Sequence, residues 1–237
     1  MIASSEPSIQ GPLPAFFYFA LSGENSITLD PFNQPVQFLK PYPIRVFSWT
    51  LPGHGEGLKD TDAMKVWYES WASGKDPIEP FIETSLKNID QLIKEGKVDP
   101  EKMAVGGLSR GGYAACRLAS VESRLKHIVG FAPLVSPARL DEFQGKVFQP
   151  LEDYIDQLAN KSLWFSIGNL DTRVNTDSVY QFVRKLTDRN FEKGNRSPQV
   201  NLTIKPSIGY KGHGTAPETF KEGVLWLAQQ FNLQERS

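Results

Sequence analysis

The sequence predicts an α/β fold with a mostly parallel β-sheet flanked by helices. Short apolar runs of strand length alternate along the chain with longer stretches of helical hydrophobic spacing. The strand-like runs are apolar at nearly every position, which is typical of strands buried on both faces of a parallel sheet. The chain of 237 residues is long enough to bury a large core, and we expect a single domain over residues 1–237.

The composition is that of an ordinary globular protein and gives no sign of a charged macromolecular partner. Hydrophobic residues make up 40% of the chain, and the formal net charge is −1. We therefore expect neither nucleic acid nor an anionic membrane surface as a partner. The single cysteine, Cys116, excludes an intrachain disulfide framework and fits a reducing compartment.

The start of the sequence has no targeting pattern. Residues 1–14, MIASSEPSIQGPLP, lack both a basic start and an apolar core, so we expect no signal peptide. The longest conspicuous apolar run, Ala15 to Leu21, is far shorter than the roughly 20 residues that span a bilayer. The expected location is therefore the cytoplasm, with no membrane-spanning segment.

Six apolar runs are predicted to form the strands of the sheet. In chain order they cover residues 15–21, 45–49, 103–107, 127–132, 163–168 and 200–205. The order of strand and helix along the chain favours parallel pairing, and such sheets carry their sites at the carboxyl ends of the strands. The residues just after each strand are therefore the ones to inspect for chemistry.

The helices are predicted from apolar residues that recur every three to four positions. Their apolar faces carry, in order, Ala63, Val66, Trp67 and Trp71; Ile78, Phe81, Ile82, Leu86, Ile89 and Ile93; Ala114, Ala115, Leu118 and Ala119; Val179, Phe182, Val183 and Leu186; and Phe220, Val224, Leu227, Ala228 and Phe231. The last helix has a start signal in Thr215 to Glu218, TAPE, which reads as a capping box with proline in the first turn.

A candidate nucleophile follows the third predicted strand. Residues 107–111, GLSRG, fit the pattern G-x-S-x-G between a strand and a helix, where a sharp turn exposes the hydroxyl of Ser109. Small neighbours leave room for that turn, and the backbone N–H of Arg110 then points to where an oxyanion forms. We expect the side chain of Arg110 to be ion-paired with an acidic neighbour. The alternative is a glycine-rich turn with an incidental serine.

A serine hydroxyl needs a neighbouring base, and the chain has three histidines. His213 lies in YKGHGTAPE, after the last predicted strand, and is the preferred base. His54, in LPGHGEG after the second strand, lies at the same edge and is the competitor. His127 begins a strand and is expected at the opposite edge.

The acid that orients the base is sought between Ser109 and His213. Asp171 directly follows the strand LWFSIG and is the preferred residue. Asp177 is the rival, although it lies in the first turn of a helix, where the helix dipole favours a carboxylate without a catalytic role. Two further carboxylates, Asp153 and Asp156, are expected on a surface helix and are poor candidates.

Serine, aspartate and histidine in this chain order, each after a different strand, resemble the catalytic triad of the α/β-hydrolase family. The resemblance covers nearly the whole chain and is carried by LPGHGEG, VGGLSRGG, GNLDTRV and GHGTAPETF. The stretch DPEKMAVGGLSRGG is similar to the dienelactone-hydrolase and prolyl-oligopeptidase-type branch. No β-propeller precedes the domain, so we do not expect a full oligopeptidase. The resemblance implies that the loop at His54 has a shaping role.

The second donor of the oxyanion hole departs from the family pattern. Many α/β-hydrolases carry His-Gly after the first of these strands, where this chain has Leu21, Ser22, Gly23 and Glu24. If Ser22-Gly23 replaces His-Gly, the second N–H comes from Glu24 or a neighbouring residue.

The connection between the strands at 127–132 and 163–168 is long, and the resemblance implies a small cap or lid over residues 134–161. Its apolar residues at 151, 154, 155 and 158 have helical spacing. Phe143, Phe148 and Tyr154 are the predicted substrate-binding residues, lining an acyl or alcohol pocket. The alternative is a helix that packs on the domain.

These residues predict a serine hydrolase that needs neither a metal nor a cofactor and acts on a carboxylic ester of small to medium size. The partner is then a small-molecule ester. A small peptidase or an acyltransferase would use the same acyl-enzyme. A protein of another class, a hydrolase fold kept as a binding protein with little turnover, is the third possibility.

Overall fold

A computed structural model gives the fold, and it describes residues 1–55 and 57–236. The strands are β1 (Ala3–Ser5), β2 (Leu13–Phe19), β3 (Arg45–Ser48), β4 (Val98–Leu108), β5 (Leu125–Phe131), β6 (Ser162–Gly168) and β7 (Val200–Lys205). The α-helices are α1 (Gly23–Thr28), α2 (Gln34–Leu39), α3 (Ala63–Ala72), α4 (Glu79–Lys94), α5 (Arg110–Val121), α6 (Ile155–Leu158), α7 (Thr176–Glu192) and α8 (Pro217–Gln230).

The strands form one sheet in the order β1-β3-β2-β4-β5-β6-β7. Every neighbouring pair is parallel except β1 and β3, which are antiparallel. The predicted mostly parallel sheet is thus confirmed, and each of the predicted strands is present. The sequence analysis missed β1, a three-residue edge strand that pairs Ala3 with Ser48 and has no hydrophobic pattern to reveal it.

The core lies on both faces of the sheet, because the strands are buried on both sides. In β2, Phe17 and Phe19 face one core and Phe16 and Tyr18 face the other. Helices α3, α4, α5 and α7 cover the first face, and α1, α2 and α8 cover the second. This two-sided burial explains why β2 reads as a continuous apolar run.

The last helix begins one residue later than the predicted capping box requires. Ala216 is the N-cap residue of α8, and no side chain caps the helix there, so the predicted capping box at Thr215 is wrong. Pro217 occupies the first position of the helix, as predicted, because proline lacks the N–H that would be unpaired at that position.

The segment 134–161 packs on the domain through short 3₁₀ turns and α6. Its side chains Leu140, Phe143, Leu151 and Leu158 are buried in the same core as α3 and α5. The segment therefore has the packing of a helical insertion, and its role as a lid stays a prediction. No helix within the described part of the chain is long and apolar enough to cross a membrane.

Helix α5 approaches β2 so closely that only glycine fits at the contact. A Cβ atom added at Gly111 would lie 1.9 Å from the carbonyl oxygen of Phe19. Because this neighbour is backbone of a central strand, it cannot move aside as a flexible side chain could. The packing of α5 against the sheet, and with it the turn at Ser109, depends on this contact.

We expect Gly111→Ala to lower the free energy of unfolding by at least the roughly 1–3 kcal/mol that overpacking costs. Urea unfolding followed by circular dichroism measures the change. Gly55→Ala is the matched control, since a Cβ atom there would meet no atom within 4 Å, and such a change falls within about 0.5 kcal/mol. Equal stability of the two variants would contradict this account of the helix–strand contact.

Candidate active site

Ser109 lies at the sharp turn between β4 and α5. Its backbone has φ 55° and ψ −117°, a region that costs a non-glycine residue on the order of 1–3 kcal/mol. Backbone hydrogen bonds hold the turn: the Ser109 N–H donates to the Phe131 carbonyl, and the Ser109 carbonyl accepts from the N–H groups of Gly112 and Leu134. The strained turn predicted from the G-x-S-x-G pattern is therefore present.

His213 lies between Ser109 and Asp171 and contacts both. Its Nδ1 is 2.6 Å from Asp171 Oδ2, and its Nε2 is 2.8 Å from Ser109 Oγ. Because an ionised carboxylate can only accept, Nδ1 carries the proton and donates it to Asp171. Nε2 then has a free lone pair, which accepts the hydrogen bond from the Ser109 hydroxyl. The three predicted residues thus form one continuous chain of hydrogen bonds.

Asp171 lies buried in the loop after β6, where backbone hydrogen bonds hold its carboxylate. The residue is 2% exposed, and its Oδ1 accepts hydrogen bonds from the N–H groups of Arg173 and Val174 at 2.9 and 3.0 Å. Backbone donors therefore fix one oxygen while the other faces His213. Its rival Asp177 lies in the first turn of α7, and no contact joins it to His213 among the described residues.

The other two histidines lie outside this chain of hydrogen bonds. His54 Nδ1 is 2.7 Å from Asp60 Oδ1, and the ring is buried. Burial and the nearby charge of Arg110 lower the pKa of His54, so its imidazole is neutral at pH 7. His127 pairs with Ser162 at the amino end of β6, so it lies at the opposite end of the strands from Ser109.

Two cavities meet at Ser109, with volumes of about 240 and 460 Å³. Both are lined by Leu21, Phe32, Ser109, Arg110 and His213. The smaller cavity is otherwise apolar or uncharged, with Ala20, Pro31, Leu108, Gly214, Thr215 and Phe220 in its walls. The larger cavity contains several charged side chains, namely Asp60, Asp141, Glu142, Arg173 and Lys211 in addition to Arg110.

The two predicted oxyanion donors are placed differently. The N–H of Arg110 is at the first position of α5, where a helix leaves its N–H groups without helical partners. Glu24 lies in α1 with an exposed side chain and lines neither cavity. Leu21 lines both cavities instead, and its N–H donates to Ser26 Oγ at 3.0 Å.

The predicted substrate-binding aromatic residues lie away from these cavities. Phe143 and Phe148 pack against Trp71, each with ring centroids 5.8 Å apart, and Phe143 is fully buried. Tyr154 stacks under the guanidinium of Arg117 at 4.3 Å. None of the three lines either cavity at Ser109. These aromatic side chains take part in core packing. Packing of this segment on the domain is the alternative that the sequence left open.

The side chain of Arg110 was also expected to be ion-paired with an acidic neighbour, and the structure differs from this prediction. Among the described residues no ion pair or hydrogen bond joins its guanidinium to an acid. Its acidic neighbours have other partners, since Asp60 bonds to His54 and Glu142 bonds to Arg173. Sequence reasoning missed Arg173 and Lys211 as cavity residues. Their positions two residues from Asp171 and His213 were the signal that could have identified them.

No group of three or more His, Cys, Asp or Glu side chains is arranged to hold a metal ion within residues 1–55 and 57–236. The candidate site consists of the hydrogen-bonded chain of Ser109, His213 and Asp171 and of the two cavities that open onto it.

Comparison with known proteins shows the fold. No protein-family model and no curated protein matches the sequence. Among solved structures, a cold-adapted esterase from an Arctic intertidal metagenomic library has a TM-score of 0.68 at 17% identity, covering 96% of this chain and 87% of its own. A putative dienelactone hydrolase from Klebsiella pneumoniae subsp. pneumoniae has a TM-score of 0.66 at 15% identity, covering 98% and 92%.

The protein Est1E from Butyrivibrio proteoclasticus, solved with ferulic acid bound, has a TM-score of 0.67 at 14% identity and covers 98% of this chain and 95% of its own. Because these identities are low, the similarity shows the fold and leaves the substrate open. The chain therefore has the α/β-hydrolase fold that the sequence resemblance implied.

We expect His54 to stay neutral as the pH falls below its ordinary pKa of 6.5, because burial and Arg110 lower that pKa. The unfolded chain then binds a proton that the folded chain resists, so this group reduces stability as the pH falls below 6.5. Nitrogen-detected NMR of the imidazole, assigned with His54→Gln, measures the titration. Protonation of His54 at or above pH 6.5 would contradict the buried placement of its ring.

Proposed function

We propose that this protein is a serine hydrolase that cleaves a carboxylic ester of small to medium size through an acyl-enzyme. The observation that carries the proposal is the hydrogen-bonded chain from Ser109 through His213 to Asp171, with 2.8 and 2.6 Å between its atoms. A buried aspartate, an imidazole and a serine hydroxyl in this geometry have the parts that nucleophilic acyl transfer requires.

The first half of the reaction forms the acyl-enzyme. Ser109 Oγ attacks the ester carbonyl carbon while His213 Nε2 takes the hydroxyl proton, and the carbonyl oxygen becomes an oxyanion. The tetrahedral intermediate then expels the alcohol, which receives the proton from His213. Asp171 holds the imidazole in the required tautomer and stabilises its positive charge while it exists.

The second half returns the free enzyme. Water enters in place of the alcohol, and His213 removes a proton from it as its oxygen attacks the acyl carbon. The second tetrahedral intermediate expels Ser109 Oγ, which recovers the proton from His213, and the carboxylic acid leaves. The same base thus acts twice, and no redox group is needed.

The oxyanion is stabilised by backbone donors at the turn. The N–H of Arg110 follows the nucleophile directly and has no helical partner. The segment from Leu21 to Glu24, which begins beside Ser109, supplies the second N–H from a residue other than Leu21, whose own N–H donates to Ser26 Oγ. Such a donor contributes about 3–4 kcal/mol to transition-state stability in a comparable enzyme.

The size of the site favours a modest substrate. Cavities of about 240 and 460 Å³ meet at Ser109, and together they lie within the range that small-molecule sites occupy. Several structural neighbours are described as esterases, which supports an ester as the substrate class. Each side of the scissile bond then occupies one cavity.

We expect a fluorophosphonate probe to label the protein at Ser109 and to leave the Ser109→Ala variant unlabelled, because the probe reacts with an activated serine hydroxyl. Labelling is measured by intact-mass spectrometry. Any other exposed serine of the chain serves as an internal control for non-specific reaction. Absence of a Ser109-dependent adduct in folded protein would refute the hydrolase proposal.

The same protein is then tested for turnover on nitrophenyl esters of increasing acyl length and on aminoacyl amides. We expect hydrolysis of short and medium acyl esters and none of the amides. Faster cleavage of the amides than of the esters would assign the site to a peptidase, and transfer to an added alcohol instead of water would assign it to an acyltransferase.

We expect Asp171→Asn to reduce turnover on the order of 10⁴-fold, because an amide can donate to Nδ1 and stabilise the wrong imidazole tautomer. The matched control is Asp177→Asn, which changes the nearest rival carboxylate without contact to His213 and is expected to keep turnover within a few-fold. Steady-state kinetics on one nitrophenyl ester measures both. Near-normal activity of Asp171→Asn would move the orienting role to another residue.

A further inference from the structure

The charged side chains of the larger cavity are mostly paired with one another. Arg173 forms two hydrogen bonds with Glu142, at 2.7 and 2.6 Å. Lys211 Nζ lies 2.5 Å from Asp141 Oδ2. The remaining carboxylate in the walls, that of Asp60, accepts from His54 at 2.7 Å. Each carboxylate that lines the cavity thus has a hydrogen-bond partner, and so do the cations Arg173 and Lys211.

Arg110 is the exception among the charged side chains that line this cavity. Its guanidinium forms no ion pair and no hydrogen bond with any of the described residues, although it lines both cavities beside Ser109. Asp60 and Glu142 act on it only through space, and burial lowers its pKa to about 10, so it is still positively charged at neutral pH. A half-buried cation that lines both cavities beside Ser109 is therefore without a partner among the described residues.

A guanidinium has several N–H donors and no acceptor, and its planar fork matches the two oxygens of a carboxylate. Such charge-assisted, two-point contacts are stronger than neutral hydrogen bonds, especially away from bulk water. A carboxylate on the substrate would meet Arg110 without breaking any of the ion pairs in the cavity walls. A neutral substrate would leave the cation desolvated and unpaired.

The two cavities also differ in chemistry, which indicates how a substrate is oriented in the site. Apart from Arg110, which lines both, the smaller one, of about 240 Å³, has uncharged walls that include Leu108, Pro31 and Phe220. The larger one, of about 460 Å³, holds the other charged residues. An ester that fits both has a compact apolar group on one side and a polar group on the other.

We propose that the preferred substrates are esters that join a compact apolar group to a group carrying a free carboxylate, and that the side chain of Arg110 binds this carboxylate. This inference rests on the proposed function, since it names the class of ester that the site cleaves. Arg110 thereby has two separate roles. Its backbone N–H stabilises the oxyanion, and its guanidinium binds the carboxylate of the substrate.

The test compares each acidic ester with the primary amide of the same shape. One pair is monobutyl adipate and butyl 5-carbamoylpentanoate, which carry the charge on the acyl side. The other pair is 5-carboxypentyl butyrate and its amide, which carry it on the alcohol side. The quantity compared is the ratio of kcat/KM for the acid to that for the amide, because a general loss of activity cancels in the ratio.

In the unmutated protein we expect this ratio to be on the order of 10 to 100 in at least one pair, as a charge-assisted hydrogen bond gives. In Arg110→Gln the ratio should fall to about 1. Arg110→Lys should keep part of the preference, because it retains the charge and loses the fork. The matched control Arg196→Gln removes an exposed arginine from the loop at the amino end of β7 and should leave the ratio unchanged.

Several outcomes would overturn the inference. A ratio of 1 or less in both pairs, with turnover that still requires Ser109, would refute it and leave the proposed function standing. A preference that persists in Arg110→Gln would assign the carboxylate to another residue. If Arg110→Gln does not fold, the decision passes to Arg110→Lys, in which an undiminished ratio would refute the role of the guanidinium fork.

A binding measurement separates this inference from the proposed function. Ser109→Ala protein is titrated calorimetrically with monobutyl adipate and with its amide, which needs no turnover. Tighter binding of the acid, lost when Arg110→Gln is added, would support the carboxylate site even if no ester were hydrolysed. Equal affinity for the two compounds would overturn it.

Discussion

The close contact between Gly111 and the carbonyl oxygen of Phe19 is the constraint on which the site depends. A Cβ atom at Gly111 would lie 1.9 Å from that oxygen, so α5 can rest on β2 only where the helix carries glycine. Because α5 begins directly after Ser109, this contact fixes how sharply the chain turns and holds the serine in its strained conformation. It also brings the nucleophile beside Leu21, which follows β2. The nucleophile and the segment of the oxyanion hole are therefore neighbours because two central strands are neighbours.

The base, His213, comes from a strand farther from the nucleophile, and the conformation of the loop after β7 brings it there. Ser109 follows β4 and His213 follows β7, and three strand spacings separate these strands by about 14 Å. The loop after β7 must therefore reach back across the sheet edge. Gly212, with φ +72°, lies so close to the loop of Asp171 that a Cβ atom would be 2.2 Å from the Leu170 carbonyl oxygen. The N–H of Thr172 donates to the Lys211 carbonyl at 2.9 Å, so the loops of the acid and of the base form one unit.

The features that could be predicted from the sequence are those whose signal is local. The strands buried on both faces appear as apolar runs, and the turn at Ser109 requires small residues that the pattern G-x-S-x-G displays. His213 and Asp171 follow because parallel strands end at one edge. The second oxyanion donor could not be assigned, since Ser26 Oγ, several residues along the chain, accepts from the N–H of Leu21 and shapes that turn. Phe143 gives no local sign of whether it faces a pocket or a core, because its partner Trp71 lies on a distant helix.

The distribution of charge shows why the insertion at 134–161 matters to a site that its aromatic residues do not line. Its carboxylates Asp141 and Glu142 bind Lys211 and Arg173, which lie on the same two loops as His213 and Asp171. The insertion is anchored in the core by Phe143, so these ion pairs tie the loops of the acid and the base to the body of the domain. Partners this far apart along the chain cannot be matched from sequence spacing, and the pairing decides which cation is left over. Since the insertion satisfies Lys211 and Arg173, Arg110 is the cation that faces the nucleophile without a partner among the described residues. The packing that orders the catalytic loops thus also determines the charge that a substrate meets.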